Sequence, residues 1–189
     1  MTIPVPPSLE SASDDALMEQ FRQGNVESFK LLFLRHIGLV VRYAASLCGN
    51  WETARDLAQE VFLKISQHAA SYDGRSKFKS WMLTMTRNMV IDLKRRKTAK
   101  TVTIPDNPDR WAPFADPRNP ADAVAAEASM AEWLKGLTPE QREVMLLKHV
   151  EQLSYTEISE ITGIREGTLR QIVFRALCQL RKEAGTNAM

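Results

Sequence analysis

The chain has 189 residues, 44% hydrophobic and 25% charged, which are ordinary proportions for a globular protein of one domain or two small ones. Its formal charge of +2 says nothing about partners until its distribution is known. Cys48 and Cys178 form no CxxC or Cys/His ligand pattern, which points to a reduced, cytoplasmic protein. No apolar run approaches the ~20 residues needed to span a bilayer. The opening "MTIPVPPSLESASDD" lacks the basic-then-apolar order of a signal peptide. Direct membrane insertion and export are therefore not expected.

Residues 1–13 read as a disordered leader, followed by helices near 14–23, 26–48, 52–69 and 77–97. Gly24 and Gly49 stand where helix stops are expected, and Asn25 is a suitable N-cap. Helix-period apolar residues run through Phe29, Leu32, Phe33, His36, Val40, Tyr43 and Leu47, then Leu57, Val61 and Ile65. Such stripes close into one bundle core. On "DLAQEVFLKI" (56–65), Asp56, Gln59, Glu60 and Lys64 lie on the outer face, which by itself is an ordinary solvated surface.

The helix "FKSWMLTMTRNMVIDLKRRK" (78–97) has two readings. Phe78, Met82, Met85, Met89 and Leu93 are spaced as a core stripe, while Ser80, Thr84, Arg87, Asn88, Ile91 and Arg95 fall largely on the other face. From Arg75 to Lys100 there are nine Lys/Arg against one acid, Asp92, as a nucleic-acid footprint requires. Arg87 and Asn88 sit mid-rod as base or phosphate ligands, with the basic end on phosphates. Tyr72, Phe78 and Trp81 surround the preceding turn, where an unstacked base could be received. A core helix with a dipole-complementing basic tail explains the same residues.

Residues 101–123 hold five of the nine prolines and four aspartates without periodicity, so they read as an extended linker. Beyond it, "TPEQ" (138–141) and "SYTE" (154–157) are capping boxes, and Gly163 ends the second helix. A short helix, a Gly turn and a basic helix form a helix-turn-helix pattern. On its last helix Leu169, Ile172, Val173, Ala176, Leu177 and Leu180 form an apolar stripe, expected to face Val144, Leu147, Ile158 and Ile161. Thr168, Arg170, Gln171, Phe174 and Arg175 form the opposite face. Arg170 suits guanine, Gln171 adenine, and Phe174 a thymine methyl, with Arg175 on phosphate. A helical hairpin with a solvated charged face has the same pattern. Arg165–Glu166 gives this helix no Ser/Thr/Asp/Asn cap, a lapse worth about 1 kcal/mol.

His36, His68 and His149 are scattered, and there is no metal-ligand spacing, carboxylate pair or phosphate-binding Gly loop. An enzyme, a cofactor and a small-molecule substrate are thus not expected.

Taken in order, "DLAQEVFLKI", "FKSWMLTMTRNMVIDLKRR", the Pro-rich linker and "LTPEQREVMLLKHVEQLSYTEISEITGIREGTLRQIVFRALCQLR" resemble a bacterial extracytoplasmic-function sigma factor over roughly residues 14–183. The resemblance implies an all-α protein of two small helical domains. Residues 14–97 would bind core RNA polymerase and recognise and melt the −10 element. Residues 98–126 would be the linker, 127–183 a helix-turn-helix domain reading the −35 element, and 184–189 a tail.

The implied polymerase contacts are the clamp helices of the largest subunit, through Asp56, Gln59, Glu60 and Lys64, and the flap of the second-largest. The implied −10 residues are Tyr72, Lys77, Phe78, Lys79, Trp81, Arg87, Asn88, Lys94 and Arg95. Those for −35 are Thr168, Arg170, Gln171, Phe174 and Arg175. Family members are often held by an anti-sigma factor, which becomes a further candidate partner. The rival expectation is a polymerase-independent helix-turn-helix regulator with an N-terminal sensor or dimerisation bundle. One departure stands out: Ile172 and Val173 occupy positions where the family commonly has Arg-Leu, leaving open which way Ile172 and Phe174 face.

Overall fold

Short polar side chains set the starts of the first three helices. Ser13 accepts from the Ala16 N–H to begin α1 (Asp14–Arg22), and Asn25 accepts from Glu27 to begin α2 (Val26–Cys48). Asn50 accepts from Thr53 to begin α3 (Trp51–Gln67). Each bond satisfies an amide that the helix itself cannot. Gly49 closes α2 in the left-handed region at φ 69°, a conformation open to glycine at little cost. The computed structural model describes residues 11–74, 77–99 and 136–186, so most of the expected leader, the whole of 101–123 and the end of the tail lie outside it.

The fourth helix, α4 (Phe78–Ala99), starts differently. Its first amide, on Phe78, donates to Asp15 Oδ1 of α1 at 2.7 Å, and the same oxygen accepts from the Tyr72 hydroxyl at 2.6 Å. One carboxylate thus caps α4 from across the bundle and pins the turn before it. A one-turn 3₁₀ segment, Ala69–Ser71, takes the residues expected to end α3.

The core of this bundle is the expected one. Leu32, Val40, Tyr43, Leu57, Val61, Ile65, Phe78 and Met82 are buried, with Leu17 and Met18 added from α1. By length and a mean hydropathy of 1.4, α2 is able to cross a membrane, contrary to the expectation that no such run exists. Its apolar surface is instead consumed by α1, α3 and α4, which all pack on it.

The C-terminal helices begin with the two expected capping boxes. Thr138 and Gln141 start α5 (Pro139–Met145), which runs on into a π-helical turn, Leu146–Val150. Ser154 and Glu157 start α6 (Tyr155–Thr162), which Gly163 ends at φ 74°. The last helix is α7 (Glu166–Thr186). Lacking a capping side chain, it begins with the Leu169 N–H on the Arg165 carbonyl, and Glu166 puts a carboxylate in its positive first turn. Leu169, Ile172, Val173 and Ala176 close on Val144, Leu147, Ile158 and Ile161 as expected. Among the described residues no strand occurs.

α4 packs on two sides, against the first bundle and against α6, and α5 also touches α2. This double burial explains one difference from the periodicity: Ser80, expected on the outer face, is buried.

Candidate nucleic-acid interface

The helix-turn-helix presents its outer face as the sequence expects. Thr168, Arg170, Gln171, Phe174 and Arg175 are all exposed, while Ile172 is only 7% exposed and Val173 is buried beside it. Phe174 is 67% exposed, so the question of direction is answered: Ile172 is core, Phe174 is surface. Arg170 is steadied by Glu166 at 3.1 Å, and its guanidinium lies 5.2 Å from the Tyr155 ring centroid. Lys148 lies against the same ring at 4.7 Å. Glu166 also accepts from the Thr156 hydroxyl at 2.8 Å. These contacts between α6 and α7 hold the first turn of α7 at a fixed angle, each worth on the order of 0.5–1 kcal/mol when exposed.

In the N-terminal bundle, Asp56, Gln59, Glu60 and Lys64 are all exposed on one stripe of α3, next to Leu63 at 57% exposure. Asp56, Glu60 and Lys64 also line an open cleft of about 330 Å³ between α3 and α4, with Asp92 and Arg96 on its far wall.

The expected −10 residues separate into three groups. Tyr72 and Phe78 are buried, Tyr72 with its hydroxyl on Asp15 and Phe78 at 0% exposure. This corrects the expectation that they receive an unstacked base: their faces are used by each other, His36 and Trp81, at centroid separations of 5.3–6.2 Å. The neighbouring carboxylate and burial also push the Tyr72 hydroxyl well above the usual range, so it stays a donor. Trp81 is half-buried at the edge of this cluster.

Asn88, Lys94 and Arg95 are exposed on α4. Lys77, Lys79 and Arg87, by contrast, are engaged by acids of the C-terminal helices. Arg87 Nε lies 2.9 Å from Glu143, whose same oxygen accepts from the Tyr43 hydroxyl at 2.7 Å. Lys79 reaches Glu151 at 2.8 Å, with Arg42 at 3.5 Å from the same carboxylate, and Lys77 reaches Glu157 at 2.9 Å.

Arg42, Tyr43, Glu143, Glu151, Glu157 and the Asp15 cap are absent from the sequence-based site. Nothing in helical periodicity marks them, because their roles arise only where the two domains touch.

The Glu157 carboxyl is held down to about 2 by Lys77 and by the Ser154 amide and hydroxyl, against a smaller upward push from burial. A value below the usual 4.5 stabilises the fold fully above that pH. The contribution is lost as the pH falls from 4.5 toward 2. An acid titration followed by tryptophan fluorescence is expected to show loosening in that window. Lys77→Ala should shrink the acid-dependent part without abolishing it, because Ser154 still holds the carboxylate.

Residues 32–100 match the Sigma-70 region 2 family and residues 129–180 the Sigma-70, region 4 family. The chain is similar to RNA polymerase sigma factor CarQ of Myxococcus xanthus, at 29% identity over 89% of this chain and 95% of that protein. It is also similar to ECF RNA polymerase sigma factor SigM of Bacillus subtilis, at 31% identity over 79% and 91% of the two chains. Among solved structures it shares the fold of sigma factor RpoE of Bartonella quintana, crystallised with the anti-sigma factor NepR. That match has a TM-score of 0.66 and 23% identity over 82% of this chain and 96% of that one.

Proposed function

The chain belongs to the ECF RNA polymerase sigma factors, and from that premise we propose how its residues divide the work. It directs promoter-specific transcription initiation by RNA polymerase, with sigma region 2 and region 4 in the family order. A polymerase-independent regulator is not favoured, since that order covers both domains. Sigma factors regulate transcription and do not catalyse it; bond formation belongs to polymerase.

In our reading α7 lies in the major groove of the −35 element. Arg170 reads guanine, Gln171 adenine, Phe174 a thymine methyl, and Thr168 and Arg175 position the helix on the backbone. The observation that carries this is the clean division of α7, with all five of these residues exposed and Leu169, Ile172, Val173 and Ala176 buried. Asn88, Lys79, Arg87, Lys94 and Arg95, with the edge of Trp81, engage the −10 element, and Lys77 lies at its rim. Stacking and pocket hydrogen bonds there offset the few kcal/mol that each unstacked base costs. The stripe Asp56, Gln59, Glu60 and Lys64 meets the clamp helices of polymerase, and the C-terminal domain meets the flap. An anti-sigma factor is a further partner, as NepR is for RpoE. The site of action is the cytoplasm, with polymerase.

The test is transcription by core polymerase reconstituted with this chain or a variant, across a promoter library. Asn88→Ala is expected to change −10 preference alone, and Arg170→Ala −35 preference alone, each by about 1–3 kcal/mol of discrimination. Uniform weakening at every promoter would make these residues backbone anchors and sink their assignment as readers.

A further inference from the structure

We infer that the acidic face of the C-terminal domain, formed by Glu143, Glu151 and Glu157, occupies the cationic face of the N-terminal domain in place of nucleic acid and competes with promoter DNA for it. This rests on the proposed −10 role of Lys79 and Arg87. Every acid in the contact comes from the C-terminal helices and every base from the N-terminal ones. Glu143 meets Arg87 at 2.9 Å, Glu151 meets Lys79 at 2.8 Å, and Glu157 meets Lys77 at 2.9 Å.

The pairs are shielded unequally. The side chains of Glu143 and Glu151 are 6% and 9% exposed, and that of Glu157 is 19% exposed. Glu143 is further tied to the Tyr43 hydroxyl, which burial and the adjacent carboxylate keep protonated as a donor. A carboxylate on Arg or Lys makes the same charge-assisted bonds as a phosphate. The closed contact and a DNA strand therefore cannot use these three cations together.

Exchange between them is cheap. Desolvation cancels most of the attraction in shielded ion pairs, so such contacts contribute more to orientation than to stability. Each cation released from an acid is available to a phosphate. The apparent affinity of the free chain for DNA falls by the fraction of molecules that are open. By reciprocity, DNA opens the chain to the same extent. Polymerase contacts that hold the two domains apart would remove the competition and leave the −10 face free only within the assembled enzyme.

The test uses the full chain and a fluorescein-labelled, random-sequence single-stranded DNA of about 20 nucleotides. The interface variant is Glu143→Gln with Glu151→Gln and Glu157→Gln. A charge-matched control carries Glu52→Gln, Glu140→Gln and Glu160→Gln, all at exposed positions. The interface variant is expected to bind about tenfold more tightly than the control. Its salt dependence should steepen by roughly two in slope, as three released cations require. X-ray scattering should show an expanded particle, and circular dichroism an unchanged helix content. Adding Lys79→Ala and Arg87→Ala should return affinity and slope to those of the control.

Equal binding by the interface variant and the control would overturn the inference, as would an interface variant that stays compact. The −10 reading is separated by Lys79→Ala and Arg87→Ala in reconstituted polymerase. Lost initiation there, with no gain in the interface variant, overturns only the competition. Unchanged initiation overturns the −10 role itself.

Discussion

Replacing Phe78 by alanine is expected to destabilise the N-terminal domain by about 3–5 kcal/mol, a large part of the 5–15 kcal/mol that usually holds a domain folded. Phe78 is fully buried, and its ring lies 5.7 Å from His36 and 6.2 Å from both Tyr72 and Trp81. Its amide is also the one that Asp15 caps. Truncation therefore empties a site shared by three rings at the point where α4 begins, and the rigid bundle around it cannot collapse to refill the space. Phe174→Ala is the matched comparison. At 67% exposure it should change stability by less than about 0.5 kcal/mol while weakening −35 recognition. Urea melts followed by circular dichroism separate the two. Equal stability losses would mean that the division between buried and presented aromatics is wrong.

Ile172→Arg carries the second large effect. Arginine is the residue the family commonly has at this position, so sequence analogy alone would expect a gained DNA contact. The structure implies the opposite. Ile172 is 7% exposed and packs in the same cluster as Leu169, Val173 and Ala176. A guanidinium placed there must either lose its hydration without a partner or lever α7 off α5 and α6. The expected cost is about 3 kcal/mol or more, in the range for an unpaired buried charge. Thermal melting of the variant should show a lowered midpoint, with no gain in affinity for duplex DNA. A variant that melts like the parent and binds −35 DNA more tightly would show that Ile172 borders the groove.

The helices themselves were legible because their signals are local. Capping boxes at Thr138 and Ser154, caps at Asn25 and Ser13, and stops at Gly49 and Gly163 involve residues within four positions of each other. The exposed face of α7 was legible for a related reason: one apolar stripe on one helix leaves only one outer face.

Around α4 the same logic failed. Its cap comes from Asp15, 63 residues earlier, and it is packed on more than one side, so a single-stripe reading misplaces Ser80. The aromatic cluster is ambiguous in sequence, since rings near a turn serve a core and a base-binding pocket equally well. Only the Tyr72–Asp15 bond and the full burial of Phe78 decide it. The acids Glu143, Glu151 and Glu157 belong to helices whose periodicity gives no reason to mark them. Their partners lie 56 to 80 residues away, beyond any local pattern.

The measurement that bears most directly on the whole is initiation by core RNA polymerase with and without this chain, on a promoter library sequenced from its transcripts. The expected result is transcription only when the chain is present, from templates that share one short element near −10 and another near −35 at fixed spacing. Substitutions on the Asp56–Lys64 stripe should remove initiation from all of them alike. A chain that leaves core polymerase unbound, or that raises transcription without enriching any shared element, would contradict the account.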